Sequence, residues 1–152
     1  MITTEQVKAL RDKTGISVMQ CKEALLKSGG DMEKAIAVLK EHGALMSEKK
    51  KDRALGSGTV GFYVHGAGDV GAMALLLCET DFVAKNEDFK KLANDIAMQI
   101  AAVGVTTKDD LLASEFFKDS SKKVSDLLKE AVQKFGENTD IGEFSRFSVS
   151  GR

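Results

Sequence analysis

The residues of this chain most able to do chemistry are Cys21, Cys78 and His42, a glycine-rich stretch at 66–71 and a connector at 80–85. Both cysteines stand outside any C-x-x-C pattern or secreted disulfide framework. They read as reduced, packed thiols rather than a disulfide or metal ligands. His42 falls where a helix is expected to end, a place where histidine caps carbonyl groups more often than it moves protons. No nucleophile is spaced with a base in that region. Gly66-x-Gly68-x-x-Gly71 spells a dinucleotide fingerprint, which demands that its last glycine open a helix receiving a pyrophosphate. An apolar run of strand length follows it instead, and Asp88, the acidic residue at about the right remove, sits in a helix start. The motif therefore reads as a hairpin turn. The sequence contains no P-loop pattern. The expectation is a protein that is not an enzyme, with no catalytic residue, no cofactor and no metal.

Thr80-Asp81-Phe82-Val83-Ala84-Lys85 joins the apolar run to the clearest helix of the chain. Connectors cross the surface, so two adjacent apolar side chains need a reason. Phe82 and Val83 could fold back onto the core or staple the next helix. Alternatively Phe82 projects as a wedge that fills an apolar groove of a partner, while the Asp81 carboxylate accepts hydrogen bonds. Composition leaves both open.

The elements that must position these residues fall into two sets. Thr3-x-x-Gln6 has the form of a capping box, with Ile2 and Val7 placed as a staple, and predicts a first helix that carries Leu10 and stops near Thr14-Gly15. Ser17-x-x-Gln20 repeats the device for a helix bearing Cys21, Ala24 and Leu25. Asp31 caps a third, with Ala35, Ile36 and Leu39 on one face and a stop at Gly43. Three short helices can share one small core. Lys49-Lys50-Lys51-Asp52-Arg53 then reads as a solvated linker. Beyond it, 58–65 and 72–79 predict a β-hairpin, Asn86 opens a helix with Phe89, Leu92, Ala93, Ile96, Ala97 and Ile100 inward, and a second amphipathic helix carries Val124, Leu127, Leu128, Ala131, Val132 and Phe135 to Gly136. Thr139 to Val149 predicts a third strand with Ile141 and Phe147 inward. The fold class is α+β: a three-helix unit at 1–46, a linker at 47–57, and at 58–152 a small core with an antiparallel three-stranded sheet packed on helices.

Bulk properties exclude several function classes. The chain of 152 residues has 30% charged side chains and a formal charge of −1, which rules against a nucleic-acid binder needing clustered Lys and Arg. No stretch has the roughly 18 apolar residues of a membrane span, and the start lacks the regions of a signal peptide, so a cytoplasmic protein is expected. Proline is absent, leaving glycine as the main punctuation.

Three segments resemble the elongation factor Ts family. Val7-Lys8-Ala9-Leu10-Arg11-Asp12-Lys13-Thr14-Gly15, followed by Met19-Gln20-Cys21-Lys22-Glu23-Ala24-Leu25 and Gly30-Asp31-Met32-Glu33-Lys34-Ala35, resembles its N-terminal ubiquitin-associated-like three-helix domain. Cys78-Glu79-Thr80-Asp81-Phe82-Val83-Ala84-Lys85-Asn86 resembles the family's Thr-Asp-Phe loop, and Gly136-Glu137-Asn138 its approach to a final strand. The resemblance implies a guanine nucleotide exchange factor that binds elongation factor Tu, both GDP-bound and nucleotide-free. It implies that Asp81 and Phe82, flanked by Thr80 and Val83, enter between two helices of the Tu GTPase domain and disturb the groups holding magnesium and phosphates. Arg11, Val18 and Met19 would touch the same domain, with Val18 standing where the family often has methionine. Gly142-Glu143 replaces an Arg-Arg pair, and longer members carry a second α/β half. Short members self-associate, so homodimerisation through an uncovered final strand is one expectation, a charged or twisted edge that blocks it the other. Two further readings compete: an adaptor that binds through the three-helix unit without using Phe82, and a Tu-binding paralogue that does not release nucleotide.

Overall fold

The computed structural model describes residues 1–151. The N-terminal region holds α1 (Thr4–Thr14), α2 (Val18–Lys27) and α3 (Met32–Lys50), each opened by the residue expected to cap it. Thr3 and Gln6 form the reciprocal capping box, with Thr3 N–H donating to Gln6 Oε1 at 2.8 Å and Gln6 N–H to Thr3 Oγ1 at 3.2 Å. Ser17 forms only half of one. Its hydroxyl accepts from Gln20 N–H, but the Gln20 side chain turns away and its Oε1 accepts from Gln133 Nε2 at 3.1 Å. Val7, Leu10, Ile16, Cys21, Ala24, Leu25, Ala35 and Leu39 close a small hydrophobic cluster between the three helices.

Two expectations about α3 fail together. Gly43 does not end it and His42 does not cap it, because the helix runs on to Lys50 with His42 exposed on its side. Gly43 is instead a point of close approach: a Cβ there would lie 2.5 Å from Gln133 Oε1 of a later helix. The helix persists past its glycine because that residue lets it lie against the rest of the molecule, and Lys50 Nζ reaches the Gly136 carbonyl at 2.6 Å. The first residues of the expected linker are thus helical.

The remainder is α+β. β1 (Ser57–His65) and β2 (Val70–Cys78) form the expected hairpin, in register from Ser57 opposite Cys78 to His65 opposite Val70. Gly66 and Gly68 take positive φ in its turn, and Gly71 lies inside β2, so the glycine motif is hairpin punctuation. A single helical turn, α4 (Asp81–Ala84), leads to α5 (Glu87–Val103), capped by Asn86. α6 (Lys108–Ala113) and a short hairpin of β3 (Glu115–Phe116) and β4 (Asp119–Lys123) precede α7 (Val124–Phe135) and β5 (Asp140–Ser148). The sheet order is β1-β2-β5, antiparallel throughout, with α5 across its inner face. A second cluster, including Leu76, Phe89, Ile96, Ile100, Val124 and Ile141, forms between sheet and helices, and Phe89 meets Phe135 edge-on at 5.5 Å between ring centroids.

One strand face was misread. Ile141 is buried as expected, but Phe147 is 70% exposed. Ile141 pairs with Leu76 and Phe144 with Ala74, so Gly142 and Glu143 together oppose Leu75 in a β-bulge. That extra residue shifts the alternation, turning Phe144 and Arg146 inward and Phe147 outward. Arg146 Nε donates to the Ala101 carbonyl at 3.1 Å. Phe147 joins Val60, Phe62, Val64 and Met73 on an exposed apolar outer face of the sheet. Among the described residues no helix is long and apolar enough to cross a membrane.

Candidate functional site: a capped turn that projects Phe82

The connector at 80–85 is a capped turn rather than an irregular loop. Thr80 is extended at φ −126° and ψ 155°, and its hydroxyl accepts from Val83 N–H at 3.4 Å. The turn separates the two apolar side chains whose roles the sequence leaves open. Val83 is 6% exposed and packs with Ala84 in the sheet-helix cluster, whereas Phe82 is 87% exposed. The fold-back reading is therefore right for Val83 and wrong for Phe82. Val83 anchors the turn and leaves little surface for a partner to touch. Asp81 is exposed beside Phe82, and its Oδ1 accepts from the Ser57 hydroxyl at 2.5 Å.

What holds the turn comes from far along the chain. Glu137 Oε1 accepts from the backbone N–H of Glu79 and of Thr80, both at 3.0 Å, and its Oε2 accepts from the Thr80 hydroxyl at 2.7 Å. Glu79 Oε2 in turn accepts from Asn138 N–H at 2.6 Å, with Arg53 within 3.7 Å of the same carboxylate. Sequence reasoning missed Glu137 as a site residue, since its position just after a helix-ending glycine marks only a strand approach.

Arg11, Val18 and Met19 are exposed on the three-helix region, Met19 at 72%. Leu26 is also exposed, seven residues beyond Met19 and hence on the same side of α2. The spacing is legible in the sequence, although nothing there marks Leu26 as exposed. A cleft of about 800 Å³ lies between this region and α7, lined by Lys13, Lys40, Asp88, Lys122, Glu130 and Lys134 among others. Four of these charges form two pairs: Lys134 donates to Asp88 at 3.0 Å, holding that carboxyl below its ordinary range, and Lys122 lies 2.8 Å from Glu130. Among the described residues no group of three or more His, Cys, Asp and Glu side chains is set to hold a metal.

Cys21 and Cys78 are free and buried, and burial is the main influence raising both thiols above their ordinary range, with the Glu137 charge adding to it at Cys78. Both are expected to resist a thiol reagent at neutral pH in the native protein and to react once it is denatured. Rapid native labelling of either would contradict this.

The sequence model described as Elongation factor TS matches residues 79–152, a span that opens at the capped turn. Elongation factor Ts of Leptospira biflexa is 36% identical over 99% of this chain and 98% of its own length, and that of Desulforamulus reducens 36% identical over 97% and 89%. The chain belongs to the elongation factor Ts family. Family members differ in size around this fold. Elongation factor Ts of Clostridium kluyveri is 42% identical over 99% of this chain but only 49% of its own length, so the chain spans about half of that relative. The Leptospira match extends over 195 positions against 152 residues here, so that relative carries internal sequence this chain lacks.

Proposed function

We propose that this chain is a guanine nucleotide exchange factor for elongation factor Tu, acting in the cytoplasm during translation elongation and making or breaking no bond itself. The observation that carries the proposal is Phe82, an aromatic side chain left 87% exposed on a turn held by the Thr80 cap, by Glu137 and by the buried Val83 and Ala84. An exposed aromatic on a held turn fits the anatomy of an interface anchor, because little ordering entropy remains to be lost on binding. In the Tu GTPase domain the ring would enter between two helices, with Asp81 beside it, and disturb the magnesium and phosphate site. Arg11, Val18 and Met19 would contact the same domain from the three-helix region, with Leu26 extending that surface.

Linkage supplies the mechanism. A partner that binds nucleotide-free Tu more tightly than GDP-bound Tu must weaken GDP binding by the same factor, so no catalytic group is required. The test is release of a fluorescent GDP analogue from elongation factor Tu with this protein in catalytic amounts. Accelerated release supports exchange activity. Binding without acceleration would favour the exchange-inactive paralogue, a reading kept in view by the clostridial relative of twice the matched length. No binding would favour the adaptor reading.

The same proposal includes a homodimer. β5 is an edge strand, and it borders the exposed apolar face formed by Val60, Phe62, Val64, Met73 and Phe147. At β1, the other edge, Phe62 N–H is already taken by Asn94 Oδ1 at 3.1 Å. Light scattering is expected to report twice the 16.4 kDa chain mass. A single-chain mass at working concentration would remove the dimer from the proposal.

A further inference from the structure

We propose that Gly136, Glu137 and Asn138 form a brace that sets the direction of Phe82, with Glu137 as a positioning residue for nucleotide exchange; this rests on the exchange reading above. α4 is four residues long, far too short to hold its own direction in water. Its direction is imposed by what is bonded to its start. Glu137 spends both carboxylate oxygens there, taking the N–H of Glu79 and Thr80 on one and the Thr80 hydroxyl on the other. Hydrogen bonds to an ionised acceptor are the stronger kind, and three on one carboxylate fix position and rotation together. The tie is reciprocal, since Asn138 N–H donates back to the Glu79 carboxylate at 2.6 Å.

The other side of the brace grips the end of the three-helix region. Asn138, itself buried, donates through Nδ2 to the carbonyls of Lys51 at 3.2 Å and Arg53 at 2.8 Å, and the Gly136 carbonyl accepts from Lys50 Nζ. Three consecutive residues thus hold both the turn that projects Phe82 and the chain leaving the helices that present Arg11 and Met19. Glu137 touches no partner in this scheme. It acts by holding Phe82 where the partner's groove must find it.

The experiment uses the full chain in four forms: Glu137→Ala, Glu137→Gln, Phe82→Ala and the double variant Phe82→Ala with Glu137→Ala. In the free protein, amide hydrogen exchange at Glu79 and Thr80 is expected to quicken by about tenfold or more in Glu137→Ala, while α5 amides keep their protection. Glu137→Gln retains an acceptor for the two amides, so it is expected to restore most of the protection and serves if the alanine variant does not fold. In the GDP-release assay Glu137→Ala is expected to lower the rate at saturating protein by about tenfold, and to cost nothing further when Phe82 is already alanine. Losses that add in the double variant, or unchanged exchange at Glu79 and Thr80, would overturn the brace. Failure of the unaltered protein to release GDP would instead overturn the exchange reading, and with it the role of Glu137 in exchange, while the amide measurement still decides whether the brace holds the turn.

Discussion

Replacing Phe82 with alanine is expected to slow Tu-bound GDP release by about tenfold or more while leaving the melting temperature of the chain unchanged, the signature of an anchor worth about 2 kcal/mol to the complex. The two halves of that expectation have separate causes. Stability is spared because the ring is 87% exposed and contributes little to the core. Activity is lost because an aromatic anchor makes its contacts only in the complex, where truncation leaves a partner groove unfilled. Val83 supplies the contrast from the next position. Being buried, Val83→Ala should lower stability by about 1 to 2 kcal/mol through its cavity before it alters any contact. An unchanged release rate for Phe82→Ala, with the variant folded, would remove the wedge from the mechanism.

Gly61→Ala is expected to cost the fold about 3 kcal/mol, lowering the melting temperature by roughly 10 °C. A Cβ built on Gly61 would lie 2.0 Å from the backbone oxygen of Ala93 and 2.3 Å from its carbonyl carbon. Backbone cannot rotate aside as a long side chain can, so either β1 must bend or α5 must lift from the sheet. Lifting α5 would loosen the packing around Phe89, Ile96 and Ile100. Gly43→Ala makes a useful comparison, since the nearest atom met there is the end of the buried Gln133 side chain rather than backbone. Thermal denaturation of both proteins is the measurement. A Gly61→Ala variant as stable as the parent would mean that α5 does not lie against β1 as described.

What could be read from the chain, and what could not, follows the range of the forces involved. Caps, hairpin and the two long amphipathic helices were legible because each is set by residues within a few positions, as with Thr3 and Gln6 or Asn86 and Phe89. The continuation of α3 through Gly43 was not, because the glycine is there for Gln133, ninety positions on. The β3-β4 hairpin was missed for a related reason. Its strands are short and polar, and it is held by the buried Gln99, whose Nε2 donates to Ser114 Oγ and the Glu115 carbonyl while its Oε1 accepts from Phe117 N–H. At the site, residue identity exposed Phe82 as unusual, but only the fold could divide it from Val83. Glu137 became visible once the fold had brought it beside Thr80.

The bulge at Gly142 and Glu143 makes β5 a strand with two reading phases. Before it, odd positions such as Ile141 belong to the interior; after it, even positions such as Phe144 and Arg146 do. Pairing the strand residue for residue, with both Gly142 and Glu143 kept but the bulge straightened, would restore a single phase, drawing Phe147 into a space that the packing reserves for Phe144 and Arg146 and pushing those outward. The apolar outer face would then lose its aromatic at the β5 edge, while the Ala101 carbonyl would lose the Arg146 guanidinium. One backbone irregularity, two residues long, thus decides which side of the molecule the end of the chain belongs to.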